Sequence, residues 1–183
     1  MVPPVRSFTK LGEVEQARGH LFSFVTARFR GPDGEVFERH VVRHPGAVAV
    51  VPLHDDGTVT LVRQYRAAVE HDLLELPAGT RDVPGEPEQR TAERELAEEA
   101  GLRAASVEHL VTLHTAPGLT DETMTVFLAQ DLTEVAHDRQ GVEEEAMTIE
   151  RVLFADALAM IEDGRITDAK TVIGIALTAR RVS

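Results

Sequence analysis

Three carboxylates inside one helical turn are the residues of this chain most suited to chemistry. Glu95, Glu98 and Glu99 stand at i, i+3 and i+4 in the run Arg94-Glu95-Leu96-Ala97-Glu98-Glu99-Ala100-Gly101-Leu102, and on a helix these positions share a face. Like charges at that spacing cost roughly 0.2–0.5 kcal/mol per pair, so the helix either spreads the charge into solvent or gathers a cation between the glutamates. A hard divalent cation with a preference for oxygen ligands suits the second arrangement. The competing reading is a solvated acidic helix, in a chain with 31 acidic and 19 basic side chains.

Other residues could complete such a site. Arg63 and Arg66 in Leu61-Val62-Arg63-Gln64-Tyr65-Arg66 carry planar forks that suit phosphate oxygens. They lie three apart on an expected strand and so point to opposite sides. Arg66 is the preferred phosphate contact, and Arg63 could face solvent. A second acidic run, Glu143-Glu144-Glu145, could hold a base or simply be a solvated loop. The eight histidines show no ligand spacing and read as structural or surface residues. Met124, Phe127 and Leu128 read as core.

The elements that must position these groups follow from pattern and punctuation. Residues 21–30 and 35–44 alternate as strands around the turn Gly31-Pro32-Asp33-Gly34, while residues 1–20 give no clear pattern. Further strands are expected at 46–52, 58–66 and 73–77, so the first 77 residues read as strands and turns. A loop over Asp82–Gly85 precedes a helix that starts at Pro87 and ends near Ala100, with Gly101 as its stop. Ala92, Leu96 and Ala100 form its core face, and the glutamates lie beside that face at its border with water. Strands follow at 106–114, 123–130 and 147–154. The chain closes with helices over about 155–163 and from Asp168 onward.

Composition narrows the class. At 183 residues with 43% hydrophobic residues, one domain of ordinary size with a small extension is expected. No apolar run approaches the length of a membrane span. The start, Met1-Val2-Pro3-Pro4-Val5-Arg6, lacks the apolar core of a secretory signal, so a cytoplasmic protein is expected. Without cysteine there are no disulfides, thiolate nucleophiles or Cys-zinc sites. A net charge of -12 argues against a nucleic-acid partner. An anionic small substrate would need metal ions or a few placed arginines.

The stretch Gly79 to Leu102 resembles the signature of the Nudix hydrolases: a glycine, a glutamate, then Arg-Glu-apolar-x-Glu-Glu-x-Gly-apolar. Glu86 stands eight positions before Arg94 as that pattern has it, but six residues separate it from Gly79 where the pattern has five. Leu61–Arg66, Glu75-Leu76-Pro77-Ala78-Gly79, and Pro117 fifteen residues beyond Leu102 resemble the ADP-ribose pyrophosphatase branch. The resemblance implies an α/β (α+β) fold, a Nudix α/β/α sandwich with a mixed sheet and an N-terminal antiparallel β extension. Residues 1–45 would be a β-rich dimerisation extension and 46–183 the catalytic domain.

The same resemblance implies a reaction. ADP-ribose would be hydrolysed to AMP and ribose 5-phosphate with Mg2+, or with Mn2+ in its place. Other nucleoside diphosphate derivatives (a nucleotide sugar, a dinucleotide or an oxidised nucleotide) are the alternative substrates, and a non-catalytic ADP-ribose-binding module is a further reading. Glu95, Glu98, Glu99 and the carbonyl of Ala78 would hold metal, with Arg94 as a positioning partner. Among the three late glutamates the resemblance favours Glu143 as base and Glu145 as a metal or water contact. Pro117, Gly118 and Leu119 would line the ribose side. A homodimer is implied, with Phe22, Phe24, Phe29, Phe37 and Tyr65 as the few rings able to stack on a base.

Overall fold

Strands and turns do occupy residues 7–77 in a computed structural model, which describes residues 7–137 and 145–182. Two compact units are present, one formed by the residues up to Gly46 with His114–Thr123, the other by Ala47–Leu113 with the residues from Met124 onward.

In the first unit β1 (Thr9–Arg18), β2 (Ser23–Arg30) and β3 (Val36–Arg43) form an antiparallel sheet in that order. β2 and β3 stay in unbroken register from Ser23 opposite Arg43 to Arg30 opposite Val36. β1 is the strand that sequence pattern did not reveal. Every residue in it is exposed, so no apolar alternation marks it, and backbone pairing to β2 defines it. The segment around Pro117 belongs to this unit. The Val42 amide donates to the Leu119 carbonyl at 2.9 Å, and Arg43 Nη1 donates to Asp121 Oδ2 at 3.0 Å.

The second unit is built on β4 (Ala47–Pro52), whose six residues are all buried. β4 pairs in parallel with β9 (Thr123–Glu134) and antiparallel with β7 (Ala78–Thr80), and β8 (Leu102–His114) completes a mixed sheet of order β7-β4-β9-β8. Its near-continuous apolar run reflects burial on both faces. Val48, Val50, Phe127 and Ala129 cluster with Ala92, Leu96 and Ala100 of helix α1 (Glu88–Ala100). Ala49, Val51, Val126 and Leu128 cluster instead with residues of β5 (Thr58–Arg66), β6 (His71–Glu75), α2 (Phe154–Glu162) and α3 (Ala169–Val182). β5 and β6 form a second antiparallel sheet with β10 (Thr148–Leu153). Helices thus flank the mixed sheet, and the expected sandwich layering is present.

Helix α1 matches its expected bounds closely. Pro87 takes the N-cap position, and Gly101 ends the helix at φ 63°, where its amide bonds back to Ala97. A side chain at Gly101 would also run into the His137 ring. Met124, Phe127 and Leu128 are core, as expected.

Candidate active site

The short strand β7 is what turns the three glutamates into a site. It runs antiparallel to β4 with Val48 opposite Gly79, and this brings the backbone at 78–80 against α1. The Ala78 amide donates to Glu99 Oε2 at 2.8 Å. A Cβ added at Gly79 would fall inside the Glu95 carboxyl group, so only glycine lets the chain pass this close. Glu95 and Glu99 are therefore buried, at 8% and 4% exposure, while Glu98 is partly exposed. This corrects the expectation that all three stand at the border with water. A strand as short as β7, the element that covers them, carries no local pattern of its own.

Arg94 balances this charge. Its Nη1 lies 2.8 Å from Glu95 Oε1 and 2.9 Å from Glu98 Oε2, and its Nη2 lies 3.1 Å from Asp82 Oδ1 and 3.6 Å from Glu86 Oε2. Burial pulls the guanidinium pKa down, but the charges of Glu95 and Glu98 outweigh this and hold it above the ordinary value. Glu86 accepts from Thr91 Oγ1 at 2.9 Å, which fixes the end of the longer loop onto α1. A cleft of about 670 Å³ lined by Glu86, Arg90, Arg94 and Arg103 lies alongside.

Arg66 lies on the opposite end of β5 from the β4 turn and is engaged in a network that sequence reasoning missed. Its Nε and Nη2 each donate to the Glu75 carboxylate at 2.7 Å. Glu75 is fully buried and also receives Nζ of Lys170 from α3. Burial pushes the Glu75 pKa up, but the Arg66 hydrogen bonds and the Lys170 charge prevail and hold it below the usual carboxylate range. Lys170 Nζ also lies 3.0 Å from Asp168 Oδ1. Asp168 Oδ2 accepts from the amide and the hydroxyl of Thr171 at 3.0 and 2.6 Å, and Thr171 Oγ1 accepts from the Leu76 amide at 2.8 Å. A lone acid in the apolar run Leu73-Leu74-Glu75-Leu76 was the available sign of such a partner.

Other candidates fall elsewhere. Arg63 Nε donates to Glu150 Oε1 on β10 at 2.5 Å, whereas Arg66 turns to β6, in line with their opposite directions. Pro117, Gly118 and Leu119 lie in the first unit, held by the bonds to Val42 and Arg43. Glu145 is exposed, and Glu143 and Glu144 lie outside the described residues.

Among the described residues no three His, Asp or Glu side chains converge closely enough to cage a metal ion, and Arg94 stands between two of the carboxylates. The donor set is nonetheless all oxygen, on one helix face, with backbone brought close by Gly79. These residues fit a hard divalent cation. A bound cation would share the carboxylates with Arg94.

Residues 43–172 match the NUDIX domain, and the chain belongs to the Nudix family. Nudix hydrolases generally need divalent cations. An ADP-ribose pyrophosphatase of Mycobacterium tuberculosis is 41% identical over 157 residues, covering 86% of this chain and 76% of that protein. An ADP-ribose pyrophosphatase of Bacillus subtilis is 39% identical over 144 residues, covering 79% of this chain and 77% of the relative. The crystal structure of an ADP compounds hydrolase superposes with a TM-score of 0.82 at 27% identity, over 96% of this chain and 94% of that one. No helix among the described residues is long and apolar enough to cross a membrane.

Proposed function

We propose that the chain hydrolyses the diphosphate bond of ADP-ribose, with Mg2+, to AMP and ribose 5-phosphate. The observation that carries this reading is the fit of Gly79 to Glu95, with Glu99 held on the Ala78 amide, since it pre-sets two buried carboxylates beside the Ala78–Gly79 backbone. Glu95, Glu98, Glu99 and the Ala78 carbonyl would hold the metal, and Mn2+ would serve in its place. When bound, the cation neutralises charge on the diphosphate oxygens and orients them.

The chain's own residues supply the rest. Arg94 holds Glu95 and Glu98 in fixed rotamers through a fork that lysine could not reproduce. Arg66, pinned on one edge by Glu75 and 41% exposed, presents its remaining N–H groups to a phosphate oxygen. Arg63 is the secondary phosphate contact, and Pro117, Gly118 and Leu119 line the ribose side. Glu143 takes the proton of the attacking water and Glu145 orients that water.

Residues 1–45 act as a dimerisation extension to a catalytic domain of 46–183. Exposed Val14 and Phe24, which share one face of the β1–β2 pair, support a homodimer, because apolar side chains grouped on one surface mark contact sites. The substrate assignment is checked by profiling ADP-ribose, nucleotide sugars, dinucleotides and oxidised nucleotides at equal enzyme concentration. The expected result is the highest kcat/KM on ADP-ribose, and no preference over sugar nucleotides would remove it.

A further inference from the structure

Glu88, in the first turn of α1, starts a hydrogen-bond chain whose direction follows from counting protons. Its Oε1 accepts from Arg81 Nη1 at 2.9 Å and its Oε2 accepts from Thr125 Oγ1 at 3.0 Å. Thr125 is buried and has one proton, which that bond uses. Its contact with Thr112 Oγ1 at 3.1 Å therefore requires Thr112 to donate. Thr112 then has no proton for His109 Nε2 at 3.0 Å, so Nε2 itself must carry one. The His109 ring is steadied by an edge-on contact with Phe127, with centroids 6.0 Å apart.

The same residues bear on the site through the sheet. Gly79 lies opposite Val48 on β4, and Val48 lies opposite Thr125 on β9, so the three form one row across the sheet. Residues in one row share a face, and the Val48 side chain clusters with α1. On α1, Glu88, Ala92, Glu95 and Glu99 recur at helical spacing along one stripe. The helix is thus pinned to this row at two points, Glu88 on Thr125 and Glu95 on Gly79, about 10 Å apart along its axis. Arg81 and Glu88 also close the two ends of the loop that is one residue longer than the Nudix pattern.

We propose that Glu88, Thr125 and Arg81 are positioning residues that set the rotation and axial register of α1, so that Glu95 and Glu99 meet the backbone at Ala78 and Gly79. This rests on the reading that the α1 glutamates carry the metal-dependent reaction. The role is one of positioning, since the Glu88 carboxylate is taken up by Arg81 and Thr125.

Two measurements test it. Thr125→Val keeps the shape and removes the hydroxyl; kcat on ADP-ribose should fall about tenfold to a hundredfold, as a displacement near 1 Å can cause. KM should change little, and Thr125→Ser should restore most of the rate. Independently of turnover, nitrogen-15 NMR of the His109 ring at a pH where imidazole is neutral should show the Nε2–H tautomer in the wild type. In Thr125→Val, Thr112 is released to donate to Nε2, and the Nδ1–H tautomer should gain population. Wild-type kcat in Thr125→Val, or an Nδ1–H tautomer in the wild type, would overturn the proposal. Absence of turnover on any diphosphate would instead remove the functional reading and the catalytic role of this row with it, whatever the tautomer.

Discussion

Gly79 and Glu95 leave each other no spare volume, and the consequences of that contact divide between stability and activity. A methyl group at position 79 would occupy the space of the Glu95 carboxyl, which is the flexible end of its side chain and can swing aside. The fold should therefore tolerate Gly79→Ala, while the carboxylate loses its place. The expected outcome is a kcat lower by about a hundredfold, the scale of a displacement near 1 Å, with a thermal midpoint close to wild type. Parallel melting and turnover assays check this, and a variant with full activity would show that Glu95 need not lie on the strand. The spacing of Glu95, Glu98 and Glu99 was legible from sequence because a helical period of 3.6 fixes it. The burial of Glu95 and Glu99 was not, because it depends on which strand crosses the helix.

At the scale of elements, the Glu75 network ties β5, β6 and α3 together beneath Arg66. Glu75 is held ionised in the fold, with its pKa below the ordinary 4.5. A depressed carboxylate pKa contributes stability that is present above its unfolded value and lost as pH falls through its folded value. The wild type should therefore lose stability progressively below about pH 4.5, and Glu75→Gln should flatten that dependence. At neutral pH the same variant should be less stable by about 2–3 kcal/mol, since it strands Lys170 and leaves the half-exposed Arg66 partly screened. Urea unfolding between pH 3 and pH 7 measures both effects (roughly the span over which carboxylates titrate), and parallel curves for the two proteins would contradict them. Most elements were legible because apolar alternation, Pro87 and Gly101 mark them locally. β1 and β7 were not, since one has no buried residue and the other is three residues long, and pairing with distant strands defines both.

For the whole molecule, one unit holds the β1–β2–β3 sheet and the other is layered around β4. If the exposed apolar side chains of the first unit's sheet form the proposed dimer contact, sedimentation should give a mass near twice 20.0 kDa. Val14→Glu places a charge at one of the most exposed of these positions and should shift the population to monomer with little change in the unfolding midpoint. A wild-type monomer at micromolar concentration would remove the dimer. The family was legible from nine adjoining residues, Arg94 to Leu102, because chemistry fixes their types as well as their spacing. The substrate class was legible as well, from Leu61–Arg66, Glu75–Gly79 and Pro117 standing in register with that run. Whether the carboxylates of α1 serve a metal-dependent cleavage is read from ADP-ribose turnover with Mg2+ by the wild type and by Glu99→Gln. The wild type should turn over measurably and the variant should lose about a hundredfold or more, the scale set by removing one group that stabilises charge in the transition state. A Glu99→Gln protein that cleaves ADP-ribose as fast as the wild type would contradict that role.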